Sequence, residues 1–352
     1  MSDRKLRPRV RSFEVAEHAG VSQSTVSRAL ANSSSITEAT RARVIKSAEA
    51  LGYMVDTRAA QLRQGRTGML AVVVICRAGE AASDINPFYF SLLGSVCAAA
   101  SGQGYQTLVS FQATSDQLFG KYEESGQADG VIVIGTAANH QAWDYFRALS
   151  HEQRAAVFWG SPFDELEWVR SDNFEGGLTA TNHLIDAGYR QIAHLGAVDS
   201  NQRQFRERYE GYCAAMEAAG LSPRLQQVDS EEDRETQGRN AVASLIDSGE
   251  AFDALFVACD SIALGAMDEL RMRGITVPDE CALVGFDGIR AGIHTSPPLT
   301  SIEPDFEVAG AMLVAAVLGQ SDGQAAGMAD GHIAERRVPV RLLERGSVRR
   351  AK

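Results

Sequence analysis

Hydrophobic and polar residues follow two different patterns along the chain. In the N-terminal region, apolar residues recur at intervals of three or four, which places them on one face of an α-helix. Val44, Ala48 and Leu51 share such a face in the segment TEATRARVIKSAEALGY. Gly20 follows an earlier segment of this kind, SFEVAEHA, and is typical of a helix end. These patterns predict short helices over 12–52.

Another predicted helix lies between these two segments. Ser22 precedes Gln23–Leu30 and can accept a hydrogen bond from the free backbone N–H groups at its start. NSSS then interrupts the helical pattern, and Thr37 begins the next helix. The N-terminal region is therefore predicted to be a three-helix unit in which a glycine turn joins the first helix to the second.

From Met69 onward, short apolar runs rich in Val, Ile and Leu are typical of strands buried on both faces of a sheet. The predicted strands are MLAVVVIC, YQTLVSF, GVIVIG, AAVFW, QIAHLG, ALFVA and CALVGF. They alternate with helical windows that begin near Phe88, Asn139, Phe174, Arg203, Arg234 and Asp260. This alternation predicts parallel sheets, and the number of units favours two α/β lobes that face each other across a cleft.

Charge is distributed unevenly along the chain, whose formal net charge is -11. Residues 1–66 carry twelve Lys/Arg and six Asp/Glu, whereas the remainder carries 22 and 39. A basic head on an acidic body indicates that the head contacts a polyanion. An ordinary soluble protein with a basic tail is the alternative.

The five cysteines are scattered, and they are Cys76, Cys97, Cys213, Cys259 and Cys281. Their number is odd and no CxxC pair occurs, so neither a disulfide framework nor a zinc site is predicted, and no cofactor is implied. The N-terminal MSDRKLRPRVRS is not followed by an apolar run, and no apolar stretch reaches the length of a membrane helix. We therefore expect no export signal, no membrane contact and a reduced, cytoplasmic environment.

The helix, the glycine turn and the second helix form a helix-turn-helix pattern. In this motif the second helix enters the major groove of DNA with its first residues facing base edges. Gln23, Ser24 and Arg28 are the predicted base-reading residues, because Gln pairs with adenine and Arg with guanine. Thr25 and Ser27 suit phosphate oxygens. A small capped helical unit with a polar surface is the alternative.

The segment EVAEHAGVSQSTVSRALANSSSITEATRARVIKSAEALGY resembles the DNA-binding headpiece of the lactose-repressor/galactose-repressor (LacI/GalR) family of bacterial transcription regulators. The resemblance extends over nearly the whole chain. The family's order and spacing are kept by SDNFEGG, HLIDAGYRQIAHLG, ERYEGYCAAMEAAGL, CDSIALGAMDELRMRGITVPDECALVGFDG and PPLTSI.

This resemblance implies a hinge helix after the headpiece, which folds on operator DNA and inserts a leucine into the minor groove. Leu62, in AAQLRQG, is the matching residue, and Arg58 and Arg63 are available for phosphates. Packing of Leu62 against a neighbouring hinge helix is the alternative. Two such leucines, one from each of two hinge helices, require two chains. The resemblance therefore implies a homodimer that reads two DNA half-sites.

The resemblance also implies a periplasmic-binding-protein-like core with an effector cleft between its lobes. The expected fold is thus a helix-turn-helix headpiece with a hinge helix, followed by a two-lobed α/β core. Expected boundaries are 1–55 for the headpiece, 56–67 for the hinge helix and linker, and 68–345 for the core. Within the core, lobe 1 is expected at about 68–165 and 297–325, and lobe 2 at about 166–296 and 330–345.

Aromatic faces suit a sugar ring or a base, and Arg208 and Asp287 match family positions that hydrogen-bond ligand oxygens. The expected effector-binding residues are Phe88, Tyr89, Trp159, Glu175, Gln202, Gln204, Arg208 and Asp287. Structural alternatives remain open for them. The aromatic residues can belong to the core, Arg208 can form a surface ion pair with Glu207 or Glu210, Asp287 can cap the following turn, and Glu175 can be a helix-dipole partner.

Two positions depart from the pattern of sugar-responsive members. Cys259 stands where several carry Asn, and Gly288 stands where a second acidic residue is common. Both differences remove hydrogen-bonding capacity, so the effector of a known member is not transferred to this chain. The C-terminal RVPVRLLERGSVRR has no heptad repeat, and a tetramer-forming helix is not expected.

The expected function is that of a sequence-specific DNA-binding repressor controlled by a small-molecule effector, a sugar or sugar derivative as for most family members. A regulator that responds to a purine or another metabolite is the alternative. A solute-binding transport protein would need export. An enzyme would need a catalytic motif, and the sequence has no nucleophile elbow, P-loop or metal motif.

Overall fold

The computed structural model describes residues 10–53, 65–77, 79, 85–150, 155–200, 202–230, 232–321 and 336–349 of the chain. The chain divides into two compact units, Met1–Thr67 and Gly68–Lys352. Leu62, Arg58 and Arg63 of the predicted hinge helix lie outside the described residues.

The described part of the N-terminal unit contains three helices: α1 (Ser12–Ala19), α2 (Gln23–Leu30) and α3 (Glu38–Leu51). Val15, Val26 and Val44, one from each helix, are fully buried in a common hydrophobic core. The three predicted helices are thereby confirmed, with bounds that differ from the prediction by one residue at most.

Local chemistry explains where these helices begin and end. Ser22 Oγ accepts a hydrogen bond from the backbone N–H of Thr25 (3.2 Å), and Thr37 Oγ1 accepts one from that of Thr40 (3.4 Å). Gly20 ends α1 with φ +64°, a left-handed conformation that favours glycine. The turn between α1 and α2 is therefore encoded by residues that the sequence shows directly.

In the parts of the second unit that the structure describes, each lobe contains a six-stranded sheet. The first sheet has the order β11-β5-β4-β3-β1-β2 and consists of β1 (Met69–Ile75), β2 (Gln106–Gln112), β3 (Val131–Gly135), β4 (Ala156–Trp159), β5 (Trp168–Ser171) and β11 (Arg337–Val338). The second has the order β12-β10-β9-β8-β6-β7 and consists of β6 (Ile192–Gly196), β7 (Leu225–Gln227), β8 (Ala254–Val257), β9 (Ala282–Phe286), β10 (Thr300–Pro304) and β12 (Val340–Leu343). β12 pairs antiparallel with β10, and the other pairings are parallel.

Helices cover both faces of each sheet. The first lobe contains α4 (Pro87–Gly102), α5 (His140–Ser150) and α10 (Phe306–Ser321). The second lobe contains α6 (Asn173–Asp186), α7 (Arg203–Ala218), α8 (Arg234–Asp247) and α9 (Asp260–Met272). Val72 and Val73 of β1 are both fully buried and belong to different core clusters, because successive strand residues point to opposite faces. The continuous apolar runs of the sequence reflect this double burial.

The strands correct the expected lobe boundaries. Trp168–Ser171 and Arg337–Val338 pair within the first sheet, although they were expected in lobe 2. Thr300–Pro304 pairs within the second sheet, although it was expected in lobe 1. The chain crosses between lobes after β5, after β10 and between β11 and β12. A strand's lobe depends on which distant strand accepts its backbone hydrogen bonds, and no local pattern carries that information.

Several elements were not predicted. β7 and β11 are short, and α10 buries Ala309, Leu313, Val314 and Val317 while its exposed side carries alanines, Ala311 and Ala315, in place of polar residues. Its hydrophobic pattern therefore has no helical period to detect. None of the helices in the described ranges is long and apolar enough to span a lipid bilayer.

Candidate functional site

The outer face of α2 presents the predicted DNA-reading residues. Gln23, Ser24, Ser27 and Arg28 are exposed, whereas Val26 lies in the headpiece core. One face of this short helix therefore packs and the other is free for a ligand. This is the division that a recognition helix needs, because its base-reading side chains must extend from a rigid support.

Hydrogen bonds organise the start of α2. Gln23 Nε2 donates to Ser12 Oγ of α1 (2.7 Å), and the hydroxyl of Ser22 lies 2.8 Å from those of both Ser24 and Thr25. Thr25 is half-buried, in part through this contact. Exposed hydroxyl and amide groups at a helix N-terminus are suited to DNA phosphates as well as to bases.

A cavity lies between the two lobes of the second unit, at the carboxyl ends of several strands. Clefts at the carboxyl ends of parallel strands are common ligand sites in α/β folds. The cavity is lined by Asn86, Phe88, Tyr89, Trp159, Gly160, Arg170, Ser171, Asn173, Gln202, Gln204, Phe205, Arg208, Arg234, Cys259 and Asp287. All the residues expected to bind effector are among them except Glu175.

Aromatic side chains form one wall of the cavity. The ring of Phe88 lies 5.5 Å from that of Tyr89, 5.9 Å from that of Trp159 and 5.3 Å from that of Phe306. Phe88 and Trp159 are also members of the first lobe's core, so they pack and line the cavity at once. Burial raises the pKa of Tyr89, whose hydroxyl therefore stays protonated at neutral pH and can donate a hydrogen bond.

Arg208 is held firmly on the opposite side. Its Nε donates to Asn173 Oδ1 (3.0 Å), its Nη1 donates to the backbone carbonyl of Ala258, and its Nη1 lies 3.4 Å from Asp287 Oδ1. The guanidinium also stacks on the ring of Phe286, with its Cζ 3.5 Å from the ring centroid. The alternative of a surface ion pair does not hold, because Arg208 is buried and pairs with Asp287.

Asp287 lies just after β9 in an uncommon backbone conformation. Its φ is 114°, a value that costs free energy for any residue with a Cβ and that is found most often at functional sites. Burial raises its pKa to about 6, although Arg208 and Arg234 oppose the rise. Asp260 caps the turn that follows Asp287, because its Oδ2 accepts a hydrogen bond from the backbone N–H of Ile289 (2.8 Å).

Glu207, the neighbour of Arg208, has a different role. Its carboxylate accepts hydrogen bonds from Arg337 and, at 3.0 Å, from Asn173 Nδ2. Burial alone would raise the pKa of Glu207, but these hydrogen bonds and charges hold the pKa below its usual value. Glu207 therefore joins the lobes and fixes the amide of Asn173, which in turn orients Arg208.

Glu175 is placed away from the cavity. Its side chain is exposed in the first turn of α6, where Oε1 accepts a hydrogen bond from Thr179 Oγ1 (3.2 Å). A negative charge in the first turn interacts favourably with the helix dipole, and this is the alternative role that was considered for Glu175.

Several polar residues of the cavity were not predicted from the sequence, namely Asn86, Arg170, Asn173 and Arg234. Asn86 caps α4 by accepting from the backbone N–H of Phe88 (3.0 Å), and a cap before an apolar helix is a detectable signal. Arg170 lies on the unpredicted β5. The helix that begins at Arg234 was predicted, but the sequence of this helix does not show which of its side chains faces the other lobe.

Three buried polar atoms near the cavity have no hydrogen-bond partner among the described residues: Arg170 Nε, Gln202 Nε2 and Gln204 Oε1. Such groups are rare in folded proteins, because losing water without a new partner costs about 1–3 kcal/mol. Cavity-lining residues with unused donors and acceptors are suited to a polar ligand. The described ranges contain no cluster of side chains suited to a metal ion.

A helix-turn-helix unit combined with a two-lobed α/β core and a cavity between the lobes defines a class of protein, in which a DNA-binding head is carried by a ligand-binding core. Family models agree with this division. A model of "Bacterial regulatory proteins, lacI family" matches residues 13–56, and a model of a "Periplasmic binding protein-like domain" matches residues 181–348.

Whole-chain relatives support the same class. The HTH-type transcriptional regulator CelR of Thermobifida fusca is 29% identical over 328 residues, 92% of this chain and 94% of that protein. The HTH-type transcriptional repressor CytR of Escherichia coli (strain K12) is 28% identical over 349 residues, 96% of this chain and 95% of that protein.

Solved structures are also similar. A CelR–cellobiose complex has a TM-score of 0.67 at 27% identity, and a lac repressor dimer bound to operator and the anti-inducer ONPF has a TM-score of 0.71 at 25% identity. In both cases 97% of this chain and all of that chain are covered. The chain belongs to the lacI family of bacterial regulatory proteins and is a DNA-binding transcriptional regulator.

Proposed function

We propose that this regulator is a repressor whose affinity for operator DNA is controlled by a sugar-like molecule bound between the two lobes. The observation that carries the proposal is the buried Arg208–Asp287 pair, which faces an aromatic wall across the cavity. A donor and an acceptor side by side match the adjacent hydroxyls of a sugar, and aromatic rings match its apolar face.

The headpiece supplies the DNA-binding half of this function. Gln23, Ser24 and Arg28 are exposed at or near the start of α2, where they can reach base edges, while Thr25 and Ser27 can contact phosphates. Leu62 is proposed as the minor-groove wedge that bends the operator. The similar lac repressor binds operator as a dimer, and we propose that this chain also binds DNA as a homodimer.

An apolar surface on the first lobe supports a dimer. Phe90 of α4 and Phe111 of the edge strand β2 are 43% and 41% exposed, and their ring centroids are 6.2 Å apart. Val109 is a further exposed apolar residue of β2. Large apolar side chains that contact one another on the surface are typical of an interface. We therefore propose that a second copy of the chain covers this face.

Effector and operator would be coupled through closure of the lobes. A ligand in the cavity contacts both lobes, so it favours one relative arrangement of them. By thermodynamic linkage, the factor by which effector changes operator affinity equals the factor by which operator changes effector affinity. The sign of this coupling is measured as a decrease or an increase in operator affinity when effector is added. A decrease means that the effector releases the protein from DNA, and an increase means that it recruits the protein.

We place the regulator in the cytoplasm, where bacterial DNA lies, and assign no catalytic step to its cavity. Burial raises the pKa of the Cys259 thiol to about 11, so at neutral pH this cavity residue is protonated and is a poor nucleophile. Turnover of any bound metabolite by the purified protein would contradict this assignment.

The test uses the full-length protein in two steps. Genomic fragments retained by the protein define the operator, and gel shifts then measure operator affinity with and without sugars, sugar derivatives, nucleosides and purines. We expect a sugar-like compound to change operator affinity. Arg208→Ala should weaken its binding by roughly tenfold to a hundredfold, because hydrogen bonds to charged groups are lost, while operator affinity without effector stays the same.

Equal effector affinity in Arg208→Ala would remove the cavity assignment. A response to a nucleoside or purine, with no response to sugars, would favour the metabolite-responsive alternative.

A further inference from the structure

Among the described residues that line the cavity, arginines outnumber carboxylates. Three arginines line it, together with one carboxylate, that of Asp287. Arg208 lies 3.4 Å from this carboxylate, and Arg170 lies 3.1 Å from that of Asp164. The third arginine, Arg234, forms no ion pair within the described parts of the chain. Among the described residues, one guanidinium of the cavity therefore has no ion-pair partner of its own.

Arg234 is nevertheless held in a defined position. It is the first residue of α8, and it donates to the amide oxygens of Gln202 (2.6 Å) and Gln237 (2.9 Å). Its guanidinium also faces the ring of Phe205, with Cζ 4.9 Å from the centroid. Neutral acceptors and a ring orient the cation, and the carboxylate that acts on it electrostatically, that of Asp287, is already paired with Arg208.

Gln202 provides a second observation that points to a ligand. Its side chain is only 3% exposed, and its Nε2 has no hydrogen-bond partner in the described structure. Because Gln202 Oε1 already accepts from Arg234, the amide presents its unused N–H groups on the other side. A ligand group that only accepts hydrogen bonds would satisfy Gln202 Nε2 and the charge of Arg234 together.

We propose that the effector is an anionic sugar derivative, whose carboxylate or phosphate group binds Arg234 and Gln202. The sugar hydroxyls then contact Arg208 and Asp287. This inference rests on the proposed function and specifies the ligand class of the same cavity. A neutral ligand that displaces water from Arg234 would leave a desolvated charge without a partner, whereas an anionic group supplies one.

The experiment compares anionic compounds with matched uncharged ones by isothermal titration calorimetry on the full-length protein. The probes are D-glucuronate, its methyl ester, D-glucose 6-phosphate and D-glucose, together with D-galacturonate, its methyl ester, D-galactose 6-phosphate and D-galactose. We expect an anionic member to bind at least about tenfold more tightly than its uncharged counterpart, and to lose affinity as salt screens the charge. The uronates and the phosphates distinguish the two sources of negative charge.

Arg234→Gln tests the residue, and Arg239→Gln is the matched control. Arg239 lies on the same helix, donates to Thr236 Oγ1 (2.9 Å) and does not line the cavity. Arg234→Gln should weaken binding of the anionic probe by about tenfold or more and leave its uncharged counterpart unchanged, whereas Arg239→Gln should change neither. Arg234→Lys, which keeps the charge, should restore part of the affinity.

Other results would overturn the inference in distinguishable ways. Tighter binding of an uncharged sugar, or an equal loss for both kinds of probe in Arg234→Gln, would contradict the anionic effector and leave the proposed sugar-controlled repressor intact. If no probe binds, the anionic class is rejected, and operator gel shifts with the wider metabolite panel decide separately whether the proposed function stands.

Discussion

Arg208 illustrates how a buried charge is prepared for a ligand by its neighbours. Asn173, the carbonyl of Ala258 and the ring of Phe286 fix the guanidinium before any ligand arrives. Burial lowers its pKa, and the carboxylate of Asp287 opposes this effect. Since the side chain is already ordered, ligand binding does not have to immobilise it, and more of each hydrogen bond contributes to affinity.

Asp287 should make effector binding depend on pH. Its pKa is raised to about 6 by burial, while Arg208, Arg234 and a hydrogen bond from Asn86 oppose the rise. The pKa of the buried Asp260 is also raised, by burial and by repulsion from Asp287. Ligand hydroxyls donate to an ionised carboxylate, so effector affinity should fall as the pH decreases through about 6, by up to about tenfold per pH unit for one linked proton.

Calorimetry from acid to neutral pH measures this dependence. In Asp287→Asn, the affinity should be lower at neutral pH and should no longer fall through this range, because the amide does not titrate. A profile in the variant that matches the parent profile would assign the pH dependence to another group.

Arg28 should contribute to base recognition. Its side chain is exposed on α2 and has no hydrogen bond or ion pair with any residue of the described headpiece, so it is free for DNA. Arg28→Ala should cost about 1–3 kcal/mol of operator binding and relax the preference at one base position in each half-site. Gel shifts with single-base operator variants test this, and an unchanged preference at every position would exclude Arg28 from base reading.

At the level of elements, glycines allow α6 and α7 to approach closely enough to align the cavity. A Cβ at Gly177 would lie 2.1 Å from the carbonyl oxygen of Arg208, and one at Gly211 would lie 2.1 Å from that of Phe174. Backbone atoms cannot move aside as a flexible side chain can. The helix that carries Arg208 and the helix that begins with Asn173 are therefore in contact through their backbones.

Gly177→Ala should destabilise the core by about 1–3 kcal/mol, the usual cost of overpacking, and weaken effector binding. Gly319→Ala, in α10, is the control because its added Cβ would have no atom within 4 Å. Thermal unfolding and effector calorimetry measure both effects. A melting temperature for Gly177→Ala equal to that of the parent would show that the helices can separate without cost.

The exposed face of α4 and β2 predicts how the dimer forms. Phe111→Asp should place a charge in the proposed interface, which would raise the dimer dissociation constant by at least about tenfold, because an unpaired charge would be buried. Sedimentation velocity over a range of concentrations measures the change. Phe174→Asp, at an exposed phenylalanine of the second lobe, is the control and should leave the dimer unchanged. Equal dissociation constants for the two variants would place the interface elsewhere.

At the scale of the whole core, ion pairs connect the two lobes beside the cavity. Asp164 of the first lobe accepts from Arg203 of the second, and Arg170 of the first lobe lies 3.7 Å from Glu207 of the second. These pairs are made in the arrangement that the structure shows. Their loss should make that arrangement less favourable, and any ligand that requires it would bind less tightly.

Asp164→Ala should therefore weaken effector binding by a few-fold without removing a cavity-lining residue, since partly exposed ion pairs are worth about 0.2–1 kcal/mol each. Glu165→Ala is the matched control, because Glu165 pairs with Arg147 within the first lobe. Calorimetry on both variants tests the prediction, and identical effector affinities would show that the Asp164–Arg203 pair does not influence binding.

The sequence was sufficient for features that depend on neighbouring residues. Ser22, Thr37 and Gly20 act within a few residues of their positions, so the headpiece helices and their turn could be predicted almost to the residue. Long apolar runs such as that of β1 need burial on both faces, which predicted the α/β core. The expected effector residues came from the family resemblance, and the structure shows that Arg208 and Asp287 line the same cavity.

Only the tertiary structure decided what depends on distant parts of the chain. Trp168–Ser171 and Thr300–Pro304 join the lobe opposite to the expected one because backbone pairing, rather than local pattern, assigns a strand to its sheet. The same crossings bring Arg234 into a cavity also lined by residues of the first lobe, where it has no carboxylate partner within the described ranges. A charge imbalance of this kind is a property of side chains far apart in sequence, and it exists only after the lobes have folded around a shared space.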